Sequence, residues 1–230
     1  MLSLMMFGFL IGMKHALEGD HIAAVAALVA DGGSFRHTLK QGAAWGLGHT
    51  LTLFAFGALV IVLDASLPER FADWLEFTVG AMLVLLGLDV LRRVVRDRVH
   101  FHPHGHGGGE VHLHAHSHRG EMGHHAHPHR HTSGVPLRAL FVGLMHGMAG
   151  SAALLLLSAS TTASPWLGLL YIAIFGLGSM AGMAAFSAVI AIPLRASAKG
   201  LTWMHNGLQA VIGSATIVLG AMTMIAVTSA

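Results

Sequence analysis

Six apolar stretches, at roughly 2–30, 41–63, 73–91, 137–160, 166–192 and 203–227, take up most of the chain, with short polar breaks between them. A helix needs about 20 residues to cross a hydrocarbon layer, and each stretch comes close to that or exceeds it. No water reaches backbone N–H and C=O groups inside a bilayer, so blocks of this kind form helices. The predicted fold class is an all-α polytopic membrane protein with six transmembrane helices. Composition agrees: 54% of the 230 residues are apolar, 10% are charged, and mean hydropathy is +0.66. There are no cysteines, which excludes disulfides and thiolate metal sites. The first stretch lacks a basic leader and is interrupted by charges, so it is read as a span rather than a cleaved signal. The pI near 9.5 comes from arginines flanking the spans and carries no expectation of nucleic-acid binding.

Between the third and fourth stretches the character changes. Arg92 to Pro136 holds 13 of the 19 histidines, many in H-x-H alternation, with three glycines at 107–109. A tract so polar cannot build an apolar core, and a flexible loop is expected. The chain thus divides into 1–91, 92–136 and 137–230, a three-helix unit on each side of a histidine-rich loop.

Basic residues set the orientation. Arg36 and Lys40 follow the first span. Arg92, Arg93, Arg96, Arg98, Arg119, Arg130 and Arg138 follow the third, and Arg195 and Lys199 the fifth. The other two loops are acidic (Asp64, Glu69, Asp73 and Glu76 against Arg70) or uncharged (STTAS). The expectation is a multi-pass inner-membrane protein with both termini outside, in the periplasm, and the histidine loop cytoplasmic.

The two units also resemble each other. GMKHALEG (12–19) aligns with GLMHGMAG (143–150), WGLGHT (45–50) with FGLGSM (175–180), and GAMLVLLG (80–87) with GSATIVLG (213–220), at offsets of 131, 130 and 133 residues. Three spans per unit place the second unit in the membrane upside down. The expected architecture is an inverted 3+3 repeat, with a substrate site where the halves meet.

The octet KHALEGDH (14–21) sits inside the first span. Each charge at a helix centre costs about 2.5–3.5 kcal/mol. Lys14 and Glu18 are spaced to pair along one helix. His15, Asp20 and His21 do not share a face of a straight helix, so a break near Gly19 is expected to bring them together. A straight helix would instead gather His15, Glu18 and His21 and leave Asp20 outside. His49, in the second span, can lie level with His21. Imidazoles with a carboxylate suit Ni²⁺, Co²⁺, Zn²⁺ or Cu²⁺ and are poor ligands for Mg²⁺ or Ca²⁺.

H-x4-D-H at His15, Asp20 and His21, followed by Gly48-His49-Thr50, resembles the nickel/cobalt transporter family. Lys14 stands where that family usually has arginine, Glu18 where it often has aspartate, and Ile22 follows the second histidine. The resemblance covers roughly residues 12–55 and implies that His15, Asp20, His21 and His49 bind the transported divalent ion. The second half lacks the acidic motifs and extra spans of classical members. Its HGMAGSAAL (146–154) is similar to a six-span urease-accessory-permease branch.

Internal symmetry sets His146 and Ser151 where His15 and Asp20 lie, either as the opposite wall of the site or as helix-to-helix hydrogen bonders. Glu18 is, like His146 and Ser151, a secondary candidate for the metal site, and a candidate proton carrier. Asp89 is read as a structural ion-pair partner of Arg92 and Arg93, and His205, Asn206 and Gln209 as interfacial caps. In the loop, His112, His114, His116, His118, His124, His125, His127 and His129 are expected to buffer metal. They would pass it to a cytoplasmic metallochaperone or a urease or hydrogenase maturation factor.

The expected function is transmembrane transport of Ni²⁺ and/or Co²⁺, with Zn²⁺ possible and uptake favoured over export. The metal is a substrate, and no prosthetic group or enzymatic activity is expected. The alternative is a membrane metal-delivery or sensing factor for nickel-enzyme maturation that transports nothing. An intramembrane hydrolase built on Ser151 with His146 or His205 lacks a nucleophile motif and is disfavoured.

Overall fold

The computed structural model describes residues 2–30, 34–63, 69–96, 100–105, 111–116, 136–148, 164–200 and 202–229. Among these residues there are seven helices: α1 (Leu2–His15), α2 (Gly19–Val29), α3 (Phe35–Leu63), α4 (Glu69–Arg96), α5 (Leu137–His146), α6 (Pro165–Gly200) and α7 (Thr202–Thr228). Four of them, over Phe35–Ile61, Arg70–Arg96, Pro165–Ser197 and Trp203–Thr228, are long and apolar enough to cross a membrane. They match the second, third, fifth and sixth apolar stretches. The first stretch is divided between α1 and α2. The fourth begins with α5, and 149–160 lie outside the described residues.

Local chemistry explains several helix ends. Ser34 precedes α3, and its Oγ accepts the backbone N–H of His37 at 3.2 Å, satisfying one orphan donor of the first turn. Pro165 opens α6, where its missing N–H is no loss. In the first stretch, α1 stops at His15 because Glu18 is extended (φ −66°, ψ 147°), while the N–H groups of Leu17 and Glu18 close the last turn on the Lys14 and His15 carbonyls. The expected break is therefore present, and the straight-helix alternative is not the structure. Gly19 does not take left-handed backbone and a side chain there would meet nothing, so the extended residue is Glu18 and not the glycine.

Helix α2 is the centre of the molecule. Its residues from Ala23 onward are all buried, as is usual for a helix apolar on every side. It packs against α7, α6 and α4. Around it, α1 lies on α6, α3 lies between α5 and α6, and α4 pairs with α7.

Glycines let these backbones approach. A methyl group on Gly12 would collide with the Phe175 carbonyl, and one on Gly143 with the Trp45 carbonyl. A methyl on Gly80 would stand 2.7 Å from the Gly220 carbonyl oxygen, and one on Gly87 2.5 Å from that of Gly213. Small residues of this kind are the usual means of close helix packing in lipid, where hydrophobicity gives no drive between helices. Trp74, Trp166 and Trp203 are exposed near the starts of α4, α6 and α7, positions suited to membrane-interface anchors.

Within the histidine segment, β1 (His100–Gly105) and β2 (Val111–His116) form a short antiparallel hairpin beside the helical body. Alternation with period two, as in Val111-His112-Leu113-His114, is a strand pattern as well as a low-complexity one. The register pairs His100 with His116, His102 with His114 and His104 with His112. His118, His124, His125, His127 and His129 fall outside the described residues. At the start of the segment, α4 runs on to Arg96.

Candidate metal centre

The break between α1 and α2 places His15 at the end of one helix and Asp20 and His21 in the first turn of the next. His49 projects from α3 and His146 from the end of α5. All four imidazoles are buried: His15 is 5% exposed, His146 2%, and His21 and His49 1% each. His21 is in the middle. Its ring centroid lies 4.3 Å from His15, 4.3 Å from His146 and 5.0 Å from His49. The His15 and His49 rings are 5.3 Å apart, and His49 and His146 5.9 Å apart.

Two carboxylates orient these rings. Glu18 Oε1 is 2.7 Å from His15 Nδ1. Asp20 Oδ1 is 2.9 Å from His21 Nδ1 and also accepts the His21 backbone N–H at 2.8 Å. Asp20 Oδ2 is 3.2 Å from His146 Nε2. An ionised carboxylate only accepts, so the facing nitrogens carry the protons and the opposite ones present lone pairs. Carboxylate–histidine pairing of this kind fixes ring orientation and raises ligand basicity in metal sites. Among the described residues, His21 Nε2, both ring nitrogens of His49 and His146 Nδ1 are buried without a hydrogen-bond partner.

Two groups of three donors emerge. The ligating atoms of His15, His21 and His49 lie within 4.8 Å of one another, as do those of Asp20, His21 and His146. All four residues of the sequence motif, and His146 from the other half, thus meet in one place. Glu18 joins them through His15 rather than through the Lys14 pairing expected on a continuous helix. Ser151 lies outside the described residues.

Sequence reasoning missed part of the surround. Trp45, one turn before His49, is fully buried with its indole Nε1 unpartnered, and its ring lies 5.4 Å from His21 and 5.5 Å from His146. Ser179, which aligns with His49 in the internal repeat, is buried with an unpartnered hydroxyl. Its position in that repeat was the available signal.

Two other polar groups stay outside the centre. Asp89 pairs with Arg138 at 2.6 Å and Arg93 at 3.5 Å, a structural link between α4 and α5. His205 lies between Ser197 and Gln209, and Gln209 donates to the Ala30 carbonyl at 2.9 Å, tying α7 to the end of α2.

No family model and no solved structure matches the chain. Among curated proteins it is 36% identical over 221 residues to the urease accessory protein UreH of Bacillus sp. (strain TB-90), covering 96% of this chain and 90% of that one. Two Arabidopsis thaliana proteins, chloroplast proteins FOR GROWTH AND FERTILITY 1 and 2, are 40% and 37% identical over 82 residues, or 35% of this chain and 22% of each of theirs.

Proposed function

Because the chain belongs to the nickel/cobalt transporter family, in its UreH-like permease branch, we propose that it carries Ni²⁺ and/or Co²⁺ across a membrane through the histidine centre. It is a multi-pass membrane protein and not itself an enzyme. The observation that carries the proposal is His49: an imidazole 1% exposed inside a helix bundle with neither nitrogen hydrogen-bonded among the described residues. A buried polar group without a partner costs about 1–3 kcal/mol, and a metal ion is the ligand that neutral imidazoles take best. Charge agrees as well. Glu18 and Asp20 together match a divalent cation, which limits the charge that a loaded centre holds in lipid.

His15, Asp20, His21 and His49 hold the ion in this reading, with Glu18 and His146 beside them. The donor set suits Ni²⁺ and Co²⁺ and tolerates Zn²⁺. Reciprocal contacts support two inverted halves rocking about the site: Gly12 abuts Phe175 as Gly143 abuts Trp45, and these residues correspond at offsets of 131 and 130. Gly80 with Gly220 and Gly87 with Gly213 repeat the relation at 133. Loop charges support termini outside and the histidine segment inside.

The hairpin register, with three directly opposed histidine pairs, supports a cytoplasmic metal buffer that favours uptake and hands nickel to a metallochaperone or maturation factor. Its affinity falls as pH drops through about 6.5, because a protonated imidazole cannot coordinate. One observation favours the second reading, a delivery factor that moves nothing: the relative named above is called an accessory protein.

The nickel content of cells expressing the protein separates the readings. An importer raises it, an exporter lowers it, and His21→Ala does neither. Deleting residues 100–131 lowers accumulation at scarce external nickel and leaves it little changed at high nickel. Unchanged cell nickel with the wild-type protein correctly inserted would overturn transport.

A further inference from the structure

The centre offers two sets of three donors rather than one set of five, and they differ in where their residues come from. His15, His21 and His49 all belong to the first half of the chain. Asp20, His21 and His146 bridge the halves, since His146 ends α5. We propose that the ion occupies two alternative stations sharing His21, one completed by His15 and His49 and the other by Asp20 and His146. This rests on the transport reading above.

Three observations carry the proposal. First, ring spacing places His21 next to both His15 and His146, at 4.3 Å each, while His49 and His146 stand 5.9 Å apart. Neighbouring ligands of a tetrahedral ion with bonds near 2.0 Å are about 3.3 Å apart. Each three-donor set can contract to that size, whereas a single ion reaching all five residues would have to draw α5 and α3 together. That route is closed, because Gly143 and Gly147 already bring α5 against the α3 backbone at Trp45 and His49.

Second, the two sets differ in their bonds to Asp20. Among the described residues His21 Nε2, both His49 nitrogens and His146 Nδ1 have no hydrogen-bond partner, whereas His21 Nδ1 and His146 Nε2 face Asp20 at hydrogen-bond distance. Filling the first station engages His21 through Nε2 and leaves the Asp20 bonds in place. Filling the bridging station replaces the two Asp20 hydrogen bonds with bonds to the ion. The N–H of each ring then moves to its other nitrogen, so both imidazoles stay neutral and no net proton is taken up.

Third, exposure differs. Every residue of the first station is at most 5% exposed, while the Asp20 side chain is 35% exposed, so the bridging station is the one open to an entering or leaving ion.

The test uses the purified full-length protein with Co²⁺ as probe. Binding and ligand type are read by Co²⁺ absorption and X-ray absorption in detergent, and flux in proteoliposomes. The variants are His49→Gln, His146→Gln and His21→Ala. Glutamine fills the space of histidine and can still bond Asp20, so folding is preserved at position 146. His146→Gln and His49→Gln should each still bind one Co²⁺, weakened no more than about 10–100-fold. The first should retain an imidazole-only ion and the second a carboxylate-containing one, while both lose flux. His21→Ala should lose binding and flux together.

Wild-type flux in His146→Gln would overturn the proposal, as would loss of binding in His146→Gln or His49→Gln as complete as in His21→Ala. If the wild-type protein carries no Co²⁺ at all, the transport reading fails. The two ligand signatures would still decide whether both stations exist.

Discussion

His15, His21, His49 and His146 owe their arrangement to two short acidic side chains as much as to their own positions. Glu18 is itself the extended residue that ends the first helix segment, and its carboxylate holds His15 at 2.7 Å. Removing it leaves the helix break possible but lets the imidazole turn. Glu18→Ala is expected to weaken Ni²⁺ binding about 10–100-fold, the usual loss when a histidine ligand loses its orienting partner. Isothermal titration checks this, and unchanged affinity would remove Glu18 from the centre. His15, Glu18, Asp20, His21 and His49 were legible in the sequence because polar groups stand out in an apolar block. Trp45 was not, since a tryptophan in a span looks like any packing or interface residue, and Ser179 was marked only by its alignment with His49. Burial with a polar atom unpartnered among the described residues distinguishes both, and that is a tertiary fact.

At the level of elements, the centre depends on α5 lying directly on α3. Gly143 makes that contact possible, and a methyl group there meets the Trp45 carbonyl and comes within 3.0 Å of the His49 backbone nitrogen. Gly143→Ala is expected to cost about 1–3 kcal/mol, the range for overpacking, and to lower metal affinity by displacing His49. Gly207→Ala is the control. Nothing lies within 4 Å of a side chain at that position, and it should be neutral or stabilise α7 by up to about 1 kcal/mol. Thermal unfolding of the two variants makes the comparison, and equal melting temperatures would contradict the packing account.

The long helices were legible because lipid demands unbroken apolar runs, and the break was legible because helix geometry could not gather His15, Asp20 and His21 otherwise. The hairpin was not. Histidine alternation reads as low complexity as readily as a strand, and the pairing of 100–105 with 111–116 depends on contacts that the sequence does not print.

Over the whole molecule, the central claim is that the ion's path crosses the membrane at His21. The matching offsets in the sequence raised the expectation of two halves with a site between them. They could not supply the contacts, in which α1 lies on α6 and α5 on α3, since helix pairing depends on which glycine faces which carbonyl. The most direct test is Ni²⁺ flux into proteoliposomes containing only this protein, driven by an imposed Ni²⁺ gradient, with His21→Ala reconstituted in parallel. The account predicts saturable flux in the wild type and none in the variant. Tight Ni²⁺ binding by the wild type with no flux under any imposed gradient would contradict it, and would make the centre a metal store for delivery.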